Sequence, residues 1–526
     1  MHFKRLPKQF NWTKEHAILM FFFFSALYST AQLQSKPTFK FTISVERPES
    51  HNYEVQFDIS DVEKDTILLK MPNWMPGYYQ FMNYSDDVKN ISATLSSGET
   101  IPVVKNSDNS WQVVNAANKP ISISYQIQTH KEFVANSYVD IERAYIIPTN
   151  SFMYVDGYLD YPATVRINNN KIWTSIATGL PESENTKSTF LSPNFDILYD
   201  SPILLGNLDS LTSFYVNGIE HRFLGYKLGN FDRNSFVEKL RRIVQSSVNV
   251  IGDIPYKNYT FIGIGPGQGG IEHLNNTTIS FDGNQLNNED HLMKVLNFLA
   301  HEYFHHYNVK RIRPFELGPF DYDKGSKTTM LWVSEGLTVY YEYLVVNRAQ
   351  ISDEKTLLRN FERHINHFEN NPGKAFQSLV QSSFQTWSDG PFGNQGPEKG
   401  KTISYYQKGP IVGLLLDFAI RNATQNKKSL DDVMRYLYWE YYKNLNRGFT
   451  DAEFQQACEN IAGTKLTSIF EYVYTTKPLD YKVYLGFAGL ELKKVGENEK
   501  TYKIVPVDNP TYLQKEIYKG WIMGNN

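Results

Sequence analysis

The segment Leu292–Pro314, LMKVLNFLAHEYFHHYNVKRIRP, decides how the rest of the chain is read. Leu292, Val295, Leu296 and Leu299 recur at helical spacing, which predicts a helix with one buried stripe. His301 and His305 lie one turn apart on it, about 40° around the axis, so both imidazoles can converge on one point. Glu302 between them completes His-Glu-x-x-His, the pattern in which two histidines bind zinc and the glutamate acts as base. His306 is rotated about 140° from His301 and is not expected to share that point. Pro314 marks where the helix must have ended. The competing reading, two ordinary histidines meeting by accident, is weak in a chain with only 12 of them.

A hydrolytic zinc site needs a third protein ligand and one open position. The metzincin continuation, x-x-Gly-x-x-His, fails because Asn308 and Arg311 occupy those positions. The other solution is a carboxylate from the next helix. Glu335 sits in Trp332-Val333-Ser334-Glu335-Gly336-Leu337-Thr338, inside an otherwise apolar segment where an unpaired charge would be costly. It is read as the third ligand, against the alternative of a salt bridge to Arg311 or Arg313. Glu302 cannot reach the ion together with both histidines, but it can take a proton from the attacking water and later deliver it to the leaving amine. The oxyanion that forms needs a further donor, and Tyr406 is the candidate. On spacing alone, one Tyr among 35 is more readily explained as packing.

These motifs carry a resemblance. HEYFHHYNVKRIRPFELGPFDY followed by LWVSEGLTVYYEYL resembles the glycyl aminopeptidase family of bacterial zinc peptidases. More distantly, both stretches are similar to the alanyl-aminopeptidase and leukotriene-hydrolase group. The likeness extends to Trp74-x-Pro76-Gly77, Asp200-Ser201-Pro202 and Ser383-Phe384-x-x-Trp387, and so covers about residues 38–490. It implies a thermolysin-like, gluzincin-type zinc domain behind an N-terminal β domain, one Zn2+ per chain, and peptide substrates with a free N-terminus. Gly269-Gly270-Ile271-Glu272-His273 resembles the Gly-x-Met-Glu-Asn element, whose Glu binds the substrate's α-amine. Tyr406 matches the Tyr of the family's Tyr-x-Lys-Gly and takes its role as oxyanion donor. Glu342, seven positions after Glu335, resembles an acid that orients a zinc histidine. Lys310, Arg311 and Arg313 belong to the signature and are read as structural ion pairs. Two departures stand out: Asn83 replaces an expected acid in the N-terminal loop, and the chain stops about forty residues after Leu490, where family members continue into a PDZ domain.

With 526 residues, two or three domains are expected. A hydrophobic share of 41%, a charged share of 21% and a net charge of -3 describe a globular chain with no reason to bind nucleic acid. Lys4, Arg5, Lys8 and Lys14 precede the apolar run Ala17–Leu27, and Ser29-Thr30-Ala31 supplies small residues. This is read as a secretory signal cut after Ala31, with export to a periplasm. The run is too short for a membrane span, and the single Cys458 excludes an internal disulfide.

The expected architecture is multidomain α+β. A signal occupies 1–31, and a β-sandwich-like domain, built from alternating segments such as TFKFTISVE, YEVQFDIS and ISISYQIQT, occupies 36–200. A thermolysin-like catalytic domain follows over 201–352, then a helical part that completes the site over 353–477. Residues 478–526 are read as a short strand-like remnant before the missing PDZ domain. The Pro-rich loop Met71–Tyr78 is expected to cover a core edge rather than to wall the substrate. Taken together, the chain reads as an exported zinc aminopeptidase acting after small N-terminal residues, Gly or Ala. The alternatives are a zinc endopeptidase, with Glu272 a structural acid, and a catalytically dead peptide-binding scaffold. Oligomeric state is left open.

Overall fold

The computed structural model describes residues 36–524, apart from 115–118, 130, 169–172 and 496–499. The proposed signal segment therefore lies outside the described residues.

Alternation drives the N-terminal domain. In Thr38–Ser44, Asn52–Ser60 and Ile121–Gln128 every second side chain is buried: Phe39, Phe41, Ile43; Tyr53, Val55, Phe57, Ile59; Ile121, Ile123, Tyr125, Ile127. These strands form the centre of a seven-stranded sheet, antiparallel except where Thr38–Ser44 runs parallel to Ala163–Asn168. Its apolar face meets two four-stranded sheets in one core that includes Ile67, Leu69, Trp111 and Ile146. Ile203–Gly206 pairs with both Arg143–Ile146 and Ser175–Thr178, so the strands of this domain run past Asp200.

The catalytic part opens with a mixed sheet. Ile219–Gly225, Asn258–Gly263 and Asn276–Ile279 run parallel, and Gly270–Glu272 pairs antiparallel with the last as an edge strand. Helix α1 (Arg233–Ile251) begins at the Asp232 cap and ends at Gly252 in the left-handed region, as its sequence punctuation requires. Helix α2 (Glu289–Phe304) carries the first histidine and stops with His305 at its C-terminal cap. The sequence pattern predicts a helix running on towards Pro314; instead the backbone widens after His305, with Lys310 N–H bonding back to His305 O and Ile312 N–H to Tyr307 O.

The next element also departs from a plain helix. Trp332–Gly336 is a π turn that leads into α3 (Leu337–Arg348), so Glu335 sits in a widened turn rather than a regular one. Helix α4 (Tyr405–Ala423) crosses it at two glycines. A Cβ on Gly336 would lie 2.7 Å from Gly409 Cα and 3.0 Å from Tyr405 O, so the two backbones touch. Residues 354–474 supply the surrounding helices, and the tail adds a hairpin, Leu490–Val495 with Thr501–Pro506. Beyond it lies α5 (Tyr512–Met523), whose Trp521 is fully buried and donates to Tyr340 Oη at 3.1 Å. That helix was not read from the sequence, although Thr511 and Gln514 form a complete capping box at its start.

Among the described residues, no helix is long and apolar enough to cross a membrane.

Candidate active site

Three acceptor atoms face one another between α2 and the π turn. His301 Nε2 and His305 Nε2 are 2.9 Å apart, and Glu335 Oε2 lies 3.1 Å from the second and 3.6 Å from the first. The opposite edge of each ring is occupied. His301 Nδ1 donates to Glu342 Oε2 at 2.8 Å, and His305 Nδ1 donates to the Asn308 carbonyl at 2.6 Å. With the proton fixed on each Nδ1 by an acceptor, both Nε2 lone pairs point at the shared centre.

Such a cluster fits a cation. Glu335 is 1% exposed, and its Oε2 has no hydrogen-bond partner. Burial alone would raise the Glu335 carboxyl, yet His305 and His301 beside it hold it well below the usual carboxylate range. Donors held about 2.1 Å from a tetrahedral ion sit roughly 3.4 Å from one another, and the observed separations bracket that value. Among the described residues, His301, His305 and Glu335 are the group of this kind that could hold a metal ion.

Asn308 is the residue whose role sequence reasoning missed. Its Nδ2 donates to Val333 O at 2.8 Å, to Ser334 O at 3.2 Å and to Thr338 Oγ1 at 3.0 Å. One side chain thus ties the end of the His-bearing helix to the turn that carries Glu335, while its own carbonyl orients His305. Its place three residues after His305 was the available signal.

Around the cluster stand the remaining candidates. Glu302 is buried with Oε2 unpartnered, and burial pushes its carboxyl up to about 8 against the pull of His301 and His305. A cation at the cluster would pull in the same direction as those imidazoles. The Tyr406 ring lies 6.2 Å from that of His301, and burial first and Glu335 second push its hydroxyl well above its ordinary value. It therefore stays protonated and able to donate. Arg311 directs its guanidinium to the carbonyls of Leu274 and His306 and to Asn275 Oδ1, at 2.7 to 3.0 Å, and so is not the partner of Glu335. His306 turns away, as its rotation predicts, into a cage of Tyr256, Tyr303 and Tyr307.

Glu272 ends the edge strand Gly270–Glu272 and is 4% exposed. Gly269 takes a positive φ of 88°, and a Cβ on Gly270 would strike Phe298 of α2 at 2.8 Å, so this glycine lets the edge strand close on the helix. The loop Met71–Tyr78 covers a core edge, with Trp74 buried against Trp387 at 5.1 Å and its Nε1 donating to Asp321 O at 2.7 Å. It also reaches Glu272. Gly77, at φ 93°, brings its backbone so close that a Cβ would lie 2.8 Å from Glu272 Oε2 and 3.0 Å from Ile271 Cγ2.

Residues 40–207 match the Peptidase M61 N-terminal domain, and residues 294–412 match the M61 glycyl aminopeptidase family. The chain belongs to the M61 glycyl aminopeptidase family. Its activity class is that of a metallo-aminopeptidase, a hydrolase of peptide bonds. Solved structures agree with an M61 assignment in fold. An aminopeptidase N family protein from Idiomarina loihiensis is 26% identical over 87% of this chain and 79% of its own, with a TM-score of 0.81. The M1 zinc metallopeptidase from Deinococcus radiodurans (13% identity, 85% and 96% covered, TM-score 0.52) shares the fold alone. So does yeast LTA4 hydrolase in complex with bestatin (14%, 84% and 68%, 0.52). No curated protein sequence matches the chain. Within the M61 match fall His301, Glu302, His305, Glu335, Glu342 and Tyr406; Glu272 lies outside both matched segments.

Proposed function

We propose that this protein is an exported zinc aminopeptidase that removes small N-terminal residues, Gly or Ala, from peptides. The observation that carries the reading is the convergence of His301, His305 and Glu335 lone pairs on one point, with the buried carboxylate of Glu272 close enough to act on His305. His301, His305 and Glu335 would hold one Zn2+. When bound, that ion would supply Lewis-acid polarisation of the scissile carbonyl and acidify a water towards neutrality.

The chain's own groups do the rest. Glu302 takes the proton of the attacking water and passes it to the departing amine. The Tyr406 hydroxyl donates to the carbonyl oxygen as that atom gains charge. Glu272 takes the substrate's α-ammonium as a charge-assisted hydrogen-bond partner, and a chain extending past it would meet the Gly77 backbone. The close approach of the Gly77 backbone to Glu272 and Ile271 supports a small first side chain. Export is supported by the basic, apolar and small-residue order of the first 31 residues.

Metal analysis of the purified protein, combined with a panel of aminoacyl p-nitroanilides and their N-acetylated counterparts with and without chelator, tests the reading. One zinc per chain, chelator-sensitive cleavage and preference for free glycyl and alanyl amines are expected. Equal cleavage of the acetylated compounds would make the protein an endopeptidase, and metal-bound protein without turnover would make it a binding scaffold.

A further inference from the structure

Behind Glu272 lies a buried group of charges that the reaction does not use directly. Lys310 Nζ donates to Asp200 Oδ1 at 2.8 Å and stands 3.9 Å from Glu272 Oε1. The first distance is a hydrogen bond and the second is not. Asp200 is itself fixed, with Oδ2 accepting from Leu274 N at 2.6 Å and Oδ1 facing His273 Nδ1 at 3.2 Å. Glu272 Oε1 is buried and has no hydrogen-bond partner. The cluster therefore holds one ammonium and two carboxylates, and the ammonium hydrogen-bonds to Asp200 and not to Glu272.

This placement calls for a cause. A lysine ammonium on a flexible four-carbon stem, so close to a buried carboxylate oxygen that accepts no hydrogen bond, gains a charge-assisted bond of about 2.8 Å by closing the gap. It would then occupy Glu272 with the same chemical group that a substrate's N-terminus presents. What holds it off is Asp200, whose position is set by the main chain at Leu274. Burial works against the Lys310 ammonium, but Asp200 first and Glu272 second raise its pKa above the ordinary lysine value, so the group competing for Glu272 is a cation.

We propose that Asp200 is a positioning residue: by tethering Lys310 it keeps the Glu272 carboxylate open for the substrate's α-ammonium. The inference rests on Glu272 being the amine anchor. It assigns to the Asp200-Ser201-Pro202 element, which belongs to the β domain and faces Lys310 and Leu274 of the catalytic part, control over substrate affinity rather than over bond cleavage.

Full-length, metal-loaded Asp200→Asn tests it with alanyl and glycyl p-nitroanilides. Loss of the tether should raise KM by about tenfold or more, with kcat within roughly threefold, as expected for a competing intramolecular cation. Adding Lys310→Gln to that background should return KM to within about threefold of the parent, since no competitor is left. An unchanged KM in Asp200→Asn, or an equally high KM in the double variant, overturns the tether. Asp200 also anchors Leu274, so the single variant Lys310→Gln provides a measurement independent of its folding. Removing a positive charge beside the ammonium subsite should lower KM by about threefold or more, and a KM that stays or rises overturns the proposal. Glu272→Gln separates the two levels: if it leaves KM unmoved, the amine-anchor reading fails. If it raises KM while Asp200→Asn does not, the tether alone falls.

Discussion

At one end of the site, the cation cluster is assembled from one helix end and the turn that follows in sequence, and Asn308 bolts the two together. At the other end, Glu272 is enclosed by four separate stretches: its own edge strand, the Gly77 loop of the β domain, Asp200 of the same domain, and Lys310. The first end depends on local geometry, and its failure modes are chemical. The second depends on how two domains meet, and its failure modes are those of fit. Chemistry and selectivity are thus separable in this molecule, and substitutions can be chosen to strike one and spare the other.

The largest effect should come from removing an ion ligand. Glu335→Gln takes away the only carboxylate in the cluster, and bound metal together with kcat/KM should both fall, activity by about 10³-fold or more; a variant that keeps one metal per chain and full turnover would detach Glu335 from the site. Glu302→Gln should lower turnover by at least roughly 10²-fold while metal content, read by atomic emission, stays at the parental level. Near-parental cleavage there would remove Glu302 from the mechanism. Glu342→Gln weakens the partner of His301 Nδ1, and competition with a chelator should report a metal affinity about 10- to 100-fold lower. Gly77→Ala belongs to the other end. It forces a methyl against Glu272 at a positive φ, so KM for alanyl substrates should rise by about tenfold with metal content unmoved. If Gly77→Ala lowered kcat and metal content instead, the two ends would not be separable.

The same contrast explains what could be read from the sequence. Four-residue spacing brings His301 and His305 together on any helix, and seven-residue spacing brings Glu335 and Glu342 to one side. Both relations survive the π turn and the early end of α2, which the sequence did not announce. The alternating strands of the β domain were equally legible, because alternation is a local property. The wall at Gly77 was not. A glycine in a Pro-rich loop signals freedom of the backbone, but nothing in the loop names the carboxylate that approaches it from roughly two hundred residues away. Lys310 reads from the sequence as a structural ion-pair residue without a named partner; that Asp200 is that partner, and that Glu272 stands beside them, appears only in three dimensions. The tail helix α5 was legible but missed: Leu513, Ile517 and Trp521 recur every four residues behind the cap at Thr511, in a stretch whose expectation was strand-like.

The backbone contact between Gly336 and Gly409 has a practical meaning. Glu335 precedes one of these glycines, and Tyr406 lies three residues before the other, so hydrogen atoms alone gauge the gap between the acid and the phenol. A methyl at either position would act as a shim and pry the two groups apart without altering any reacting atom.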